Sequence, residues 1–283
     1  MMTAILRLPA PAKLNLMLHI TGRRGDGYHL LQTVFQFIDL SDWLEFELAE
    51  DGRIQRLQST TPVAAEDDIV LAAAMLLQAR FGVSEGVSIR VEKRIPIGGG
   101  LGGGSSDAAT CLLALNHLWK LELTLSQLAE IGLELGADVP VFVQGRAAWA
   151  GGVGEVLQAI DIEEPIYLVV DPQIEVSTAQ IFAAQELTRN CDPITIRAFL
   201  RGVGTNVCEP VVRKHHSQVG DALDWLNQFG QAHMSGTGGC VFVEIDSLAQ
   251  AEIVKSQVPE PWVGYVVAAM NYSPVHQQLG LLD

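Results

Sequence analysis

The chain has 283 residues, which is enough for two domains that each bury a sizeable core. Its 48% hydrophobic and 18% charged residues are typical of a globular protein. A formal net charge of -15 argues against a nucleic-acid-binding protein, because phosphate backbones are held by clustered Lys and Arg.

The first predicted element is a half-buried strand over residues 11–20. Its apolar positions alternate with more polar ones: Ala12, Leu14, Leu16, Leu18 and Ile20 against Lys13, Asn15, Met17 and His19. Because successive side chains of a strand point to opposite faces, Lys13 and Asn15 should lie side by side on the more polar face. A turn-rich loop containing three glycines is predicted to follow over residues 21–28.

The pattern then alternates between strands and helices up to residue 150. Strands are predicted near 31–37, 43–48 and 87–93, helices over 68–81, 106–119 and 126–135, and short strands over 139–143 and 147–150. Gly136 is expected to end the third helix, because glycine is the preferred residue just past a helix C-terminus.

An acidic, proline-bearing segment around 160–165 is the best candidate for a domain boundary. It divides the chain into residues 1–160 and 161–283. The second part shows apolar strands at 167–170, 240–245 and 264–269 with helices between them. That order is typical of a small α+β sandwich, with strands in one layer and helices in the other.

A glycine run at residues 96–109 (PIGGGLGGGSSDAA) is the strongest local signal. Six of the residues from Gly98 to Gly104 lack a side chain, so their N–H groups can approach an anion closely. Ser105 and Ser106 are N-cap types, and a helix should begin there. A glycine loop followed by a helix N-terminus predicts a phosphate-binding site. A linker is the alternative, but linkers are not usually placed between an apolar strand and an apolar helix.

Neither of the two common phosphate motifs fits this loop. A Walker A loop needs Lys then Ser or Thr after its last glycine, and here Gly104 and Ser105 follow Gly103 without the lysine. The dinucleotide pattern G-x-G-x-x-G is satisfied by Gly98, Gly100 and Gly103, but any run this rich in glycine satisfies it. The loop also does not follow the first strand of the domain, as the dinucleotide loop usually does.

Three further segments share the character of this loop. The first is Lys13 with Asn15, and the second is Asp138, which is predicted to lie in a turn between a helix and a strand. The third is a second glycine loop over residues 235–239 (SGTGG), directly before an apolar strand. Taken alone, each has an ordinary interpretation as a solvated lysine, a turn-forming acid or a tight turn.

Together, these segments resemble the superfamily of galactokinase, homoserine kinase, mevalonate kinase and phosphomevalonate kinase, the GHMP kinases. Its three ordered motifs are matched by residues 11–16 (PAKLNL), 96–109 and 235–239. Extra glycines after Leu101, Asp107 between Ser106 and Ala108, and the segments 27–29 (GYH) and 136–142 (GADVPVF) are similar to one branch only. That branch phosphorylates 4-(cytidine 5′-diphospho)-2-C-methyl-D-erythritol in the non-mevalonate isoprenoid pathway.

The resemblance implies a two-domain α/β (α+β) GHMP kinase fold. The N-terminal half would be like domain 2 of ribosomal protein S5 and would carry nucleotide binding and catalysis. The C-terminal, substrate-side half would be ferredoxin-like. ATP would be the phosphoryl donor, with Mg²⁺ expected because the β- and γ-phosphates need charge neutralisation. The ATP-binding residues implied are Lys93, Pro96, Ile97, Gly98, Gly99, Gly100, Leu101, Gly102, Gly103, Gly104, Ser105 and Ser106.

The resemblance also implies roles around the acceptor alcohol. A tertiary alcohol is a poor nucleophile, so a base should take its proton. Asp138 is implied as this base, and Lys13 would keep it ionised and offset charge on the transferred group. Asn15 would orient the substrate's hydroxyl groups.

Other residues are implied to bind the remaining parts of the two ligands. Tyr28 would stack on the cytosine, His29 would hydrogen-bond to it, and Thr178 would contact the substrate from the second domain. The segment 66–69 (EDDI) resembles an adenine-contacting segment, but Asp68 stands where relatives typically have Asn. The metal ligands stay undetermined, with Ser106 as a candidate.

Three alternative functions are weaker. Another GHMP kinase acting on homoserine or a mevalonate-like alcohol is disfavoured by Tyr28, His29 and the extra glycines. A catalytically silent nucleotide-binding regulator is disfavoured by the presence of both Lys13 and Asp138. A nicotinamide-dependent oxidoreductase is disfavoured by the placement of the glycine loop.

The remaining expectations concern the environment of the chain. Its four cysteines contain no C-x-x-C pair, so neither a disulfide framework nor a zinc site is indicated. No apolar run approaches the roughly 18 residues of a membrane span, and Pro9, Pro11 and Lys13 interrupt any signal-peptide core. We therefore expect a cytoplasmic monomer or weak homodimer that binds neither membrane nor nucleic acid.

Overall fold

The computed structural model describes residues 5–25, 27–57 and 68–281. Its strands are β1 (Leu6–Arg23), β2 (His29–Ala49), β3 (Ile54–Arg56), β4 (Gly86–Glu92), β5 (Ala148–Gly151), β6 (Val156–Ala159), β7 (Ile166–Asp171), β8 (Ala232–Met234), β9 (Val241–Ile245) and β10 (Val263–Met270). Its helices are α1 (Ile69–Phe81), α2 (Gly103–Leu118), α3 (Leu125–Leu135), α4 (Val139–Gln144), α5 (Thr178–Ala183), α6 (Ile196–Phe199), α7 (Glu209–His215), α8 (Ser217–Leu226), α9 (Leu248–Lys255) and α10 (Pro274–Leu279). No helix in these described ranges has the length and apolar content needed to cross a membrane.

The first two strands form a long antiparallel pair, from Leu6 opposite Phe46 to Arg23 opposite His29. The strands predicted near 31–37 and 43–48 are therefore one strand, β2. Their separation was wrong because the polar residues between them pair with β1, Ser41 lying opposite Pro11.

A β-bulge between Asn15 and Met17 interrupts the predicted alternation of β1. Leu18 consequently lines the same cavity as Lys13 and Asn15, whereas it was predicted on the opposite face. An extra residue in one strand shifts the side-chain parity beyond it, and sequence alternation alone does not reveal the shift.

The helix after the glycine loop starts earlier than predicted. Its first residue is Gly103, and Gly102 is the N-cap with φ of 73°. The expectation that Ser105 or Ser106 caps the helix is wrong, because the Ser106 N–H already donates to the Gly102 carbonyl at 2.9 Å. Both serines lie inside the first turn instead.

The segment predicted as a strand over 139–143 is the short helix α4. Asp138 is its N-cap residue, Pro140 lies in its first turn, and Gly145 ends it with φ of 68°. A proline is pre-organised for the first turn of a helix, and a left-handed glycine is a common helix end. The valine-rich run imitates a strand because it is buried on every side. Asp138 thus joins two helices, α3 and α4.

One sheet runs through both halves in the order β3-β4-β2-β10-β7-β9-β8, with β1 and β5 also paired to β2, and β6 to β5. Strand β10 joins the halves, since Ala269 pairs with Ile38 of β2 while the earlier part of β10 pairs with β7. The predicted strands at 167–170, 240–245 and 264–269 correspond to β7, β9 and β10. The boundary between 1–160 and 161–283 stays a prediction.

The hydrophobic core has three parts. One lies where α1 and α2 cover the N-terminal strands, and includes Phe46 and Leu112. A second lies under α7 and α8, and includes Val212 and Leu223. The third, with Leu14 of β1 and the strands around it, joins the halves. The glycine loop lies against this junction through Leu101, so the fold places it between the two halves.

Candidate active site

The glycine loop adopts a backbone that only glycine tolerates at its two central turns. Gly100 has φ of +74°, and a Cβ there would lie 2.3 Å from the Ser235 carbonyl oxygen. Gly102 has φ of +73°, and its Cβ would lie 2.9 Å from the Phe142 ring and 3.0 Å from Lys13 Cε. The loop therefore lies tightly between β1 and the second glycine loop, and it continues directly into the first turn of α2.

The two predicted glycine loops pack on each other. The Cys240 N–H donates to the Gly99 carbonyl at 2.9 Å, and Ser235 Oγ donates to the Gly100 carbonyl at 2.9 Å. Ser235 Oγ also accepts from the Asn15 N–H at 3.1 Å. The second glycine loop, residues 235–239, therefore fixes the first glycine loop and β1 relative to each other.

Lys13 lies at the centre of this arrangement and is only 3% exposed. Its ammonium donates to Asn15 Oδ1 and to the Gly100 carbonyl, the latter at 3.0 Å. Asp138 Oδ2 lies 3.2 Å from the same nitrogen, while the Asp138 side chain is 35% exposed. A buried cation thus holds a carboxylate that remains open to the cavity.

Asn15 positions Lys13 from the side. Its amide nitrogen donates to Thr33 Oγ1 at 2.8 Å, and Thr33 in turn donates to the Met17 carbonyl at 2.6 Å. The orientation of the Asn15 amide is thereby fixed, with its oxygen toward Lys13.

Two cavities meet at the glycine loop. One, of about 400 Å³, is lined by the loop itself together with Lys93, Asp68 and Arg56. The other, of about 820 Å³, is lined by Lys13, Asp138, Tyr28, His29 and Thr178 among others. Gly100, Gly102 and Ser105 belong to both. Two ligands bound in these cavities would meet beside Lys13 and Asp138.

The larger cavity is long enough for an extended ligand. The Phe35 ring lies 5.5 Å from Lys13 Nζ, and His29 precedes it by six residues (35 − 29) along β2. At 3.3 Å per residue this separates the two ends by about 20 Å.

The far end of this cavity carries aromatic rings. The His29 ring stacks on Phe182, with centroids 5.1 Å apart and planes 21° from parallel. Tyr28 is 65% exposed at its rim. Thr178, at the start of α5, shares a hydrogen bond of 2.7 Å with Thr237 of the second glycine loop. Neither Phe182 nor Thr237 is singled out by the sequence patterns, although Thr237 lies within the second glycine loop.

Lys93 is part of a buried charge cluster in the smaller cavity. Its ammonium contacts Asp42 and lies 2.8 Å from Asp107 Oδ2. Burial works against the charge of Lys93, but the carboxylates of Asp107 and Asp42 outweigh it and raise its pKa. Burial and the neighbouring Asp42 raise the pKa of Asp107 to about 7, in spite of Lys93.

The carboxylate of Asp68 binds other groups of the protein. It caps α1 by accepting from the Val70 and Leu71 N–H groups, and it pairs with Arg56. Glu66 and Asp67 of the predicted adenine segment lie outside the described residues, whereas Asp68 lines the smaller cavity.

Within the described ranges, no cluster of three or more His, Cys, Asp or Glu side chains is arranged to hold a metal ion. Two buried oxygens in the first turns of α2, Ser106 Oγ and Asp107 Oδ1, have no hydrogen-bond partner among those residues. Such oxygens suit Mg²⁺, which usually takes one or two protein oxygens and completes its shell with phosphates and water.

Comparison with known proteins assigns the family. The families described as GHMP kinases N terminal domain and GHMP kinases C terminal match residues 68–146 and 184–264. The 4-diphosphocytidyl-2-C-methyl-D-erythritol kinase of Nitrosococcus oceani is 58% identical over 94% of this chain and 95% of its own. That of Halorhodospira halophila is 52% identical over 96% and 95%.

The chain belongs to the 4-diphosphocytidyl-2-C-methyl-D-erythritol kinase family of GHMP kinases. A crystal structure of 4-(cytidine 5′-diphospho)-2C-methyl-D-erythritol kinase superposes on it with a TM-score of 0.81 at 31% identity, over 93% of this chain and 99% of the other. The predicted GHMP kinase fold is thereby confirmed, and the chain is an ATP-dependent small-molecule kinase.

In this kinase, the predicted site residues fall into the two adjoining cavities. Lys13, Asn15, Asp138, Tyr28, His29 and Thr178 line the larger one, and Lys93 with the loop from Pro96 to Ser105 lines the smaller. Ser106 is buried behind the loop and lines neither. Asp42 was missed because it lies on β2, far in sequence from the motifs, and nothing local marks it.

Proposed function

We propose that this kinase transfers the γ-phosphoryl group of ATP to the 2-hydroxyl of 4-(cytidine 5′-diphospho)-2-C-methyl-D-erythritol. The observation that carries the proposal is the meeting of two cavities beside one Lys–Asp pair. One is a glycine-loop cavity suited to phosphates, and the other is a larger cavity with aromatic rings at the end away from Lys13. The name shared by relatives at more than 50% identity supports the same substrate.

ATP would occupy the smaller cavity. Its phosphates would lie on the glycine loop, where orphan N–H groups at the α2 N-terminus favour anions. Lys93 would approach the phosphates from the end of β4. Mg²⁺ would be held by the phosphates with Asp107, which lines the smaller cavity, and would neutralise charge as the phosphoryl group departs. Ser106, which lines neither cavity, stays a candidate ligand from the sequence alone.

The acceptor hydroxyl would lie against Asp138. Its carboxylate would accept the hydroxyl proton as the new O–P bond forms, which makes the tertiary oxygen a better nucleophile. Lys13 would hold Asp138 in its ionised form and offset the charge gathering on the transferred group. Asn15, by fixing Lys13, would keep both groups at the acceptor.

The cytidine end would occupy the far part of the larger cavity. Tyr28 would cover the base, His29 would hydrogen-bond to its edge, and Thr178 would contact the substrate from the C-terminal half. A protein that makes this phosphorylated product serves the non-mevalonate route to isoprenoid precursors. We place it in the cytoplasm, as a monomer or weak homodimer.

One assay separates this proposal from its alternatives. ADP release is coupled to an absorbance change with three acceptors: the cytidylyl methylerythritol compound, homoserine and mevalonate. We expect turnover only with the first, and ³¹P NMR of the product should show the new phosphoryl group on the 2-hydroxyl. Turnover with homoserine or mevalonate alone would identify another GHMP kinase, and ATP binding without turnover on any acceptor would support a silent regulator.

A further inference from the structure

Arg189, on the segment after α5, is held rigidly beside His29. Its Nε donates to His29 Nε2 at 3.1 Å. Its terminal nitrogens donate to three backbone carbonyls, those of Leu187 at 3.1 Å, Phe182 at 2.9 Å and Ala184 at 2.6 Å. Four hydrogen bonds therefore leave the guanidinium one orientation.

This contact determines where the imidazole proton lies. A guanidinium only donates hydrogen bonds, so His29 Nε2 must be the accepting nitrogen. In a neutral imidazole the other nitrogen then carries the proton. Burial and the positive charges of Arg189 and Arg23 lower the pKa of His29, which favours the neutral form. His29 is therefore an Nδ1–H donor.

The Nδ1–H group is available to a ligand. Among the described residues it has no hydrogen-bond partner, and His29 lines the larger cavity while its ring is stacked on Phe182. The ring cannot turn over to exchange its nitrogens without giving up the Arg189 hydrogen bond. A ligand atom opposite Nδ1 must consequently be an acceptor.

We propose that Arg189 is a specificity-determining positioning residue, which selects cytosine over uracil by fixing His29 as an Nδ1–H donor. The inference rests on the proposed function, because it concerns the base of that substrate. Cytosine presents an acceptor at N3, whereas uracil presents an N3–H donor there. Without Arg189, the His29 proton can move to Nε2, and Nδ1 can then accept from uracil. With Arg189 in place, a proton on His29 Nε2 would face the Arg189 Nε–H, and two donors cannot form a hydrogen bond with each other.

The test compares CDP and UDP as probes, by calorimetric titration of the wild-type chain and of Arg189→Met. We expect the wild type to bind CDP about 10- to 100-fold more tightly than UDP, the effect of one mismatched buried hydrogen bond. In Arg189→Met the ratio should fall to within about threefold. The loss of a positive charge weakens both diphosphates alike, so it cancels in the ratio. Nitrogen NMR of the ¹⁵N-labelled histidine ring should show Nδ1 protonated in the wild type and a shift toward Nε2–H in the variant.

Two further variants complete the design. Arg197→Met removes an exposed arginine on α6 and should keep the wild-type ratio. His29→Asn leaves Arg189 and its carbonyl contacts in place but offers an amide that can present either a donor or an acceptor, so CDP and UDP should bind about equally. This variant shows whether His29 carries the selection, on which the role of Arg189 depends, even if Arg189→Met disturbs its loop.

An unchanged CDP-to-UDP ratio in His29→Asn, or an unchanged ratio and tautomer in a folded Arg189→Met, would overturn the role of Arg189 while leaving the kinase activity intact. If the wild type binds CDP and UDP equally, the selection itself is absent. If it neither binds CDP nor turns over the cytidylyl substrate, the proposed function fails and this inference fails with it.

Discussion

Replacing Asp138 by Asn is the most direct test of the proposed chemistry, since the amide keeps the shape of the side chain and removes its basicity. Loss of a positioned general base lowers turnover by about 10²–10⁴-fold. We therefore expect kcat to fall by at least about 10²-fold. The KM for ATP should change by less than about twofold, because the smaller cavity does not include Asp138.

The cost to stability follows from the geometry of the pair. Lys13 is 3% exposed and its partner's side chain 35%, so the pair lies between an exposed ion pair, worth up to about 1 kcal/mol, and a buried one, whose disruption costs about 3–5 kcal/mol. Asn15 and the Gly100 carbonyl still accept from Lys13 in the variant. We expect a loss of about 1–2 kcal/mol in the free energy of unfolding, which leaves a folded enzyme to assay.

The measurement is a single-turnover quench with the enzyme in excess, which reports the chemical step even if product release limits the steady state. Lys13→Met should also lower this rate by about 10²-fold or more, and the double variant should lose much less than the product of the two losses, because the residues act as a unit. Asp161→Asn is the control, since that carboxylate pairs with Arg146 outside the cavity. Near-wild-type turnover in a folded Asp138→Asn would refute the general-base assignment.

Three other outcomes are expected. Tyr28→Ala should raise the KM for the cytidylyl substrate by roughly 5- to 150-fold, because it removes about 1–3 kcal/mol of stacking, and should leave the KM for ATP unchanged. A raised KM for ATP alone would mean that ATP, not the cytidylyl substrate, binds in the larger cavity. The raised pKa of Asp107, about 7 against 3.8, means that the folded state binds more protons than the unfolded state between about pH 4 and 7. The contribution of Asp107 to stability should therefore fall as pH rises through that window. Chemical denaturation of wild type and Asp107→Asn at several pH values should show this difference, with stability rising more, or falling less, with pH in the variant; identical pH dependences would place the titration elsewhere. Thiol titration should find four free thiols after denaturation. In the native state Cys111, Cys208 and Cys240 should react slowly, because they are buried and burial raises the pKa of each thiol. A count of two or zero in protein protected from air would contradict the absence of disulfides.

The sequence by itself located the segments that form the candidate site. Each glycine loop is a pattern of consecutive residues, because a backbone that approaches a phosphate closely needs several neighbouring residues without side chains. Lys13 was found from its position in the alternating pattern of the first strand. The apolar patterns also placed β1, β4, α1, α2 and α3, whereas β3, β6, β8 and the helices from α5 to α10 were not placed individually.

Only the tertiary structure decided how these segments meet. The helix at Val139–Gln144 reads as a strand because burial on every side erases the helical period. The bulge that brings Leu18 to the cavity also lined by Lys13 depends on the register against β2. Asp42 beneath Lys93 and Arg189 beside His29 are joined across 51 and 160 residues of chain, and no local pattern encodes a contact of that separation. The first contact follows from the pairing of β2 with β4, where Trp43 lies opposite Glu92. The second follows from the packing of the segment around α5 against the start of β2.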